Sequence, residues 1–119
     1  MITFIRSTKN TTIYSRHELL NTGADEIAEI RGGFSHASGP DVARILISFD
    51  TEKLISTSNE NDLFFLNLKI IQKTELSGEF EIQFFPLAEG WSDGVGRYID
   101  SEHNYPGASW KYRKENFKF

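Results

Sequence analysis

The sequence contains no cysteine, which excludes a disulfide-stapled secreted module and a thiol nucleophile. It also lacks the run of about 20 apolar residues that a membrane span needs. Its opening residues, Met1-Ile2-Thr3-Phe4-Ile5-Arg6, show no basic leader followed by an apolar stretch, so a soluble product without a secretory signal is expected. An excess of basic charge is missing too. The formal charge is −4, which argues against binding nucleic acid, because phosphate neutralisation is what such proteins must supply. The acidity is uneven: Lys111, Arg113, Lys114 and Lys118 stand against Glu115 alone near the end of the chain. That tail reads as a solvated terminus, with a contact segment as the alternative.

What is present suits one domain over residues 1–119, which buries roughly two thirds of its unfolded surface without disulfide or metal. Three segments alternate at period two. In Ala43–Asp50 the inward set is Ala43, Ile45, Ile47 and Phe49, with Arg44, Ser48 and Asp50 facing away. In Leu63–Ile71 it is Phe64, Leu66, Leu68 and Ile70, set against Asn67 and Lys69. In Glu79–Pro86 it is Phe80, Ile82 and Phe84, set against Glu79, Glu81 and Gln83. The last two segments read as a hairpin closed by Gln72–Gly78, and Pro86 ends the ladder because it has no N–H to donate.

Upstream, Thr11–Tyr14 is a short β-prone run, and Glu26–Ile30 fits either a strand or a helical turn. Asn21-Thr22-Gly23 is a turn, Arg31–Asp41 a loop, and Asp50–Asn59 an irregular or short helical crossover. Strands separated by turn chemistry indicate an all-β antiparallel sandwich, jelly-roll-like, ending in a long aromatic and Gly-rich segment. That segment, Glu89 to Trp110, holds Trp91, Tyr98, Tyr105 and Trp110. It is either a binding loop or irregular structure pinned by its own aromatic side chains.

No catalytic set is legible, and the chain reads as a non-enzyme without a cofactor. His17, His36 and His103 lie far apart, with no spacing that puts two of them on one face of a helix or strand. Asp93, Asp100 and Glu102 sit among aromatics as a glycosidase pair would, but sequence places no two of them at the separation such chemistry needs. Asp41, Asp93 and Asp100 offer oxygen ligands for a stabilising cation only if the fold gathers them. Gly94-Val95-Gly96 has no strand before it or helix after it, so it reads as a tight loop rather than a phosphate cradle. Arg31-Gly32-Gly33 reads as a turn, and Asn10-Thr11-Thr12 fits an N-glycosylation acceptor made moot by the missing leader. Trp91, Tyr98, Tyr105 and Trp110 either stack on a sugar ring or contact a partner, or the two tryptophans cap the core.

Several segments carry a resemblance. Ala43-Arg44-Ile45-Leu46-Ile47-Ser48-Phe49-Asp50, Phe80-Glu81-Ile82 and Trp91-Ser92-Asp93-Gly94 resemble the DNRLRE-type β-sandwich, where an Arg-x-Leu-apolar-x-Phe-Asp strand precedes a crossover and a Trp turn follows a long hairpin. The chain is closer still to virion structural proteins of tailed bacteriophages. Thr12-Ile13-Tyr14, Asn21-Thr22-Gly23, Asp25-Glu26-Ile27, Phe49-Asp50, Trp91-Ser92-Asp93-Gly94-Val95-Gly96 and Ser109-Trp110 follow that pattern in order over nearly the whole chain. The resemblance implies a sandwich in a phage particle, at the neck, baseplate or tail-fibre attachment, made in the bacterial cytoplasm. It implies contacts with other virion proteins or with copies of itself, and no catalysis. Family members usually continue past the Ser-Trp pair, whereas this sequence stops at Phe119; it is either a shortened member or part of a longer gene product, and a truncated chain would lack a terminal strand that a neighbour can add.

Overall fold

The computed structural model describes residues 2–32, 34–35, 39–71, 79, 81–100, 106–114 and 117–118. Its central element is an antiparallel ribbon of β1 (Ser7–Tyr14) and β4 (Ala43–Phe49). Both strands are rich in the β-branched and aromatic residues that suit a pleated, half-covered surface. Tyr14 pairs with Ala43, Thr12 with Ile45, Asn10 with Ile47 and Ser7 with Phe49, and a bulge interrupts the ladder between Ser7 and Lys9. Residues directly opposite in such a ladder share a face. Thr11, Ile13, Arg44 and Leu46 therefore occupy one side, and Thr12, Tyr14, Ala43 and Ile45 the other.

Each side has its own small apolar cluster. Ile13 and Leu46 pack with Trp91 and Ala108, and Trp110 joins them partly buried. Tyr14 and Ala43 pack with Leu20. The inner half of β1 is thus buried on both faces, Thr11 and Thr12 included. The expected inward set of β4 needs correction. Ala43 is buried, but Ile45, Ile47 and Phe49 are only half-buried, and Leu46 of the opposite parity is buried instead. Alternation assumes one covered face, whereas here loops cover both.

The crossover after β4 is α1 (Thr51–Thr57), capped by Asp50, whose carboxylate accepts from the Lys53 N–H at 3.2 Å. A carboxylate there satisfies a helical N–H that has no partner within the helix. The Phe-Asp pair that closes β4 therefore also starts the helix. Within the predicted 31–41 loop, β2 (Phe34–Ser35) and β3 (Gly39–Pro40) form a minimal antiparallel pair. Glu26–Ile30 forms neither strand nor helix; Arg31 follows it and exchanges two main-chain hydrogen bonds with Ala43 on the edge of β4. A last pair, β5 (Tyr112–Lys114) with β6 (Phe117–Lys118), lies in the basic tail.

Pairing is antiparallel throughout the described residues, and helix is confined to α1 and a 3-10 turn at Tyr98–Asp100. The layer covering the ribbon is loop, and among the described residues no second sheet packs on it. Leu63–Ile71 and Glu79–Pro86, expected as a hairpin, make no ladder among the described residues, so Pro86 ends none there. Most of their apolar side chains stand in water. A strand is stable only when its N–H and C=O groups have partners and one face is covered. Among the described residues no ladder partner meets the first condition for these two segments, and their exposed apolar side chains show that the second is not met. Phe80 and the connecting residues 72–78 lie outside the described residues.

Candidate functional site

Three stretches distant in sequence meet on the Leu46 side of the ribbon: the turn after β1, the loop at Trp91, and the segment before β5. Their junction is Asn21, 1% exposed. Its Nδ2 donates to the carbonyls of Asp93 and Ala108, both at 2.8 Å. Its Oδ1 accepts from the N–H of Gly23 at 3.2 Å and of Gly96 at 2.9 Å. A primary amide has two donors and an oxygen with two lone pairs, so every position is used. Next to it, Thr22 Oγ1 accepts from the Thr12 N–H and donates to the Thr12 carbonyl, fastening the turn to β1.

This junction explains the glycines of the Trp-x-x-Gly-x-Gly stretch. Gly94 has φ 73°, a left-handed conformation that other residues adopt at a cost. A Cβ there would also stand 2.5 Å from Asn21 Oδ1, and one on Gly96 would run into the Asn21 carbonyl. The main chain must come this close for the carboxamide to reach it. Two further ties hold the loop: Arg113 pairs with Glu89 at 2.7 Å and donates to the Gly90 carbonyl at 2.9 Å.

The aromatic residues expected to form a binding surface are not gathered on one open face. Trp91 is 7% exposed, its carbonyl accepts from the Lys9 ammonium, and that ammonium lies 4.4 Å from the centre of the ring. Trp110 is half-buried beside the same cluster, with the Arg44 guanidinium 5.0 Å from its ring centre. A sugar stacks on an open aromatic face. Here a cation stands over one face of each indole, the cation–π arrangement. Tyr98 is elsewhere, half-exposed, edge-on to Tyr14 at 5.1 Å and to His17 at 5.9 Å. Tyr105 lies outside the described residues, as do His36, His103 and Glu102.

Around Tyr14 the chain builds a polar cluster that sequence reading missed. The Tyr14 hydroxyl donates to Glu29 at 3.1 Å. Arg31 bridges Glu29 at 2.5 Å and Asp41 at 3.0 Å. Burial, reinforced by the nearby Glu29 charge, holds the Tyr14 hydroxyl protonated well above the ordinary tyrosine range. The hydrogen bond to Glu29 strengthens the charged form of Arg31. No local pattern announces the cluster: Arg31 precedes two glycines, and only the pairing of residue 31 with Ala43 brings it to Tyr14 and Asp41.

The remaining candidates have local roles. Asp93 accepts from the Gly94 N–H and Asp100 from the Arg97 N–H, while Asp41 faces Arg31. Among the described residues no three His, Cys, Asp or Glu side chains gather as a metal site. No helix among them is long and apolar enough to cross a membrane. The described site joins loops to a ribbon through fully occupied hydrogen bonds, and its chemistry is that of a fastening. No protein-family model, curated protein or solved structure matches the chain.

Proposed function

We propose that this chain is a non-enzymatic structural protein of a tailed-bacteriophage particle, acting by protein–protein contacts at the neck, baseplate or tail-fibre attachment. In this reading its complete fold is a jelly-roll-like β-sandwich. The observation that carries the proposal is the use made of the motif residues. Gly23 and Gly96 donate to Asn21, Gly94 leaves it room, Thr22 is tied to Thr12, Ser109 is buried nearby, and Asp50 caps α1. Residues that recur in a scaffold family need physical reasons of this kind, and each has one here without any ligand.

A free sugar-binding module is the alternative that the aromatic segment raised, and the cations over Trp91 and Trp110 give it no support. Mass spectrometry of purified particles tests the proposal. The protein is expected in stoichiometric amount with other virion proteins, and its repeated absence would overturn the reading.

A further inference from the structure

The largest unexplained feature is the apolar surface between Leu63 and Leu87. Phe65, Phe85 and Leu63 are 80%, 75% and 81% exposed, and their apolar neighbours range from 37% at Ile82 to 67% at Ile70. From these exposures each chain leaves on the order of 1,000 Å² of hydrocarbon in water, where a specific interface takes about 800 Å² from each partner. Isolated exposed apolar side chains need no explanation, but so much apolar area concentrated on two short segments points to an interaction surface. The main chain of 63–71 and 81–87 also makes no hydrogen bond to another described residue. Apolar area and unpaired main chain therefore lie on the same stretch.

We infer that a second copy of this chain covers the surface, residues 65–69 of each copy pairing as an antiparallel strand with residues 81–85 of the other, short of Pro86. The sequence of the two segments is what selects a copy of itself. Placing Lys69 opposite Glu81 sets Leu68 opposite Ile82, Leu66 opposite Phe84 and Asn67 opposite Gln83. One register thus matches apolar with apolar at Leu66 and Leu68 on one face, and on the other matches Phe65 with Phe85, amide with amide and opposite charge with opposite charge. A twofold pair repeats each match. A hairpin closed within one chain would satisfy the same register but leave its apolar row in water, and two strands alone are marginal. Two reciprocal ladders supply a second apolar row to cover the first.

This deepens the reading of the chain as a contact-making scaffold by naming one partner. The test uses the absence of cysteine. K69C and E81C are made in separate, differently tagged full chains and oxidised alone and together. A covalent dimer is expected only in the mixture, and the K69C/E81C chain should link between molecules. Sedimentation velocity should show a reversible dimer, weakened about tenfold by Lys69→Glu and restored by combining it with Glu81→Lys. A chain monomeric at all concentrations, a K69C/E81C link formed within one molecule, or association indifferent to both charge reversals would each overturn the inference. A monomeric chain found in purified particles would sink this inference alone. An associating chain absent from particles would sink the virion reading alone.

Discussion

The carboxamide oxygen of Asn21 accepts a hydrogen bond from the main-chain N–H of Gly96 at 2.9 Å across 75 positions of sequence. That bond joins the Asn21 turn to the aromatic segment, and it exists only because Gly96 has no side chain. A Cβ on Gly96 would meet the Asn21 carbonyl and lie 3.0 Å from its Oδ1. Gly96→Ala should therefore push the two loops apart. A loss of about 1–3 kcal/mol, typical of overpacking, is expected in urea unfolding, whereas alanine at Gly32, where a Cβ meets nothing within 4 Å, should leave the midpoint nearly unchanged.

The two faces of β4 make opposite demands. Leu46 is buried against Ile13, Trp91 and Ala108, so Leu46→Ala should cost about 2–5 kcal/mol. Phe49 is half-buried at the end of the strand, and Phe49→Ala should cost about 1 kcal/mol. Equilibrium unfolding of the two variants would show this order, which reverses the one that strand alternation predicts.

Much of the framework was legible in the sequence. The β-prone residues of β1 and β4, the turn at Asn21 and the helical crossover after Asp50 all follow from local chemistry, and all are found. What escaped depends on long-range placement. Arg44 faces away in a one-sided strand, yet with loops on both sides it lies over Trp110. Asn21 looks like an ordinary turn residue; its burial follows from three segments converging on it, which no single segment encodes. The alternation of Leu63–Ile71 and Glu79–Pro86 is present in the residues but goes unused inside the chain, since period two specifies a face and says nothing about what covers it.

Tyr14 provides a pH-dependent test. Its hydroxyl is neutral in the folded protein and titrates well above its ordinary value of about 10. The unfolded chain loses that proton first as pH rises, so the unfolded state binds fewer protons and stability falls. The contribution is intact below about pH 10 and declines above it, by up to about 1.4 kcal/mol per pH unit. Between neutral pH and about pH 11 the slopes of stability against pH for wild type and Tyr14→Phe should differ only in the alkaline range, with the wild type showing the steeper decline, while loss of the bond to Glu29 offsets the two at every pH.

The cations over the indoles make a prediction about ligands. With Lys9 on Trp91 and Arg44 on Trp110, neutral oligosaccharides should leave the tryptophan emission of the folded protein unchanged. A saturable shift on titration, lost in Trp91→Ala or Trp110→Ala, would bring the sugar-binding reading back.

The central claim is that the loop residues around Asn21 form a fastening that organises the fold, with Asn21 at its middle. Asn21→Asp tests it most directly, because the shape is kept while both donors to the Asp93 and Ala108 carbonyls are lost. A buried carboxylate would then face two carbonyl oxygens. Urea unfolding of Asn21→Asp beside wild type at neutral pH should show a loss of about 3 kcal/mol or more. A midpoint within experimental error of wild type would contradict the account.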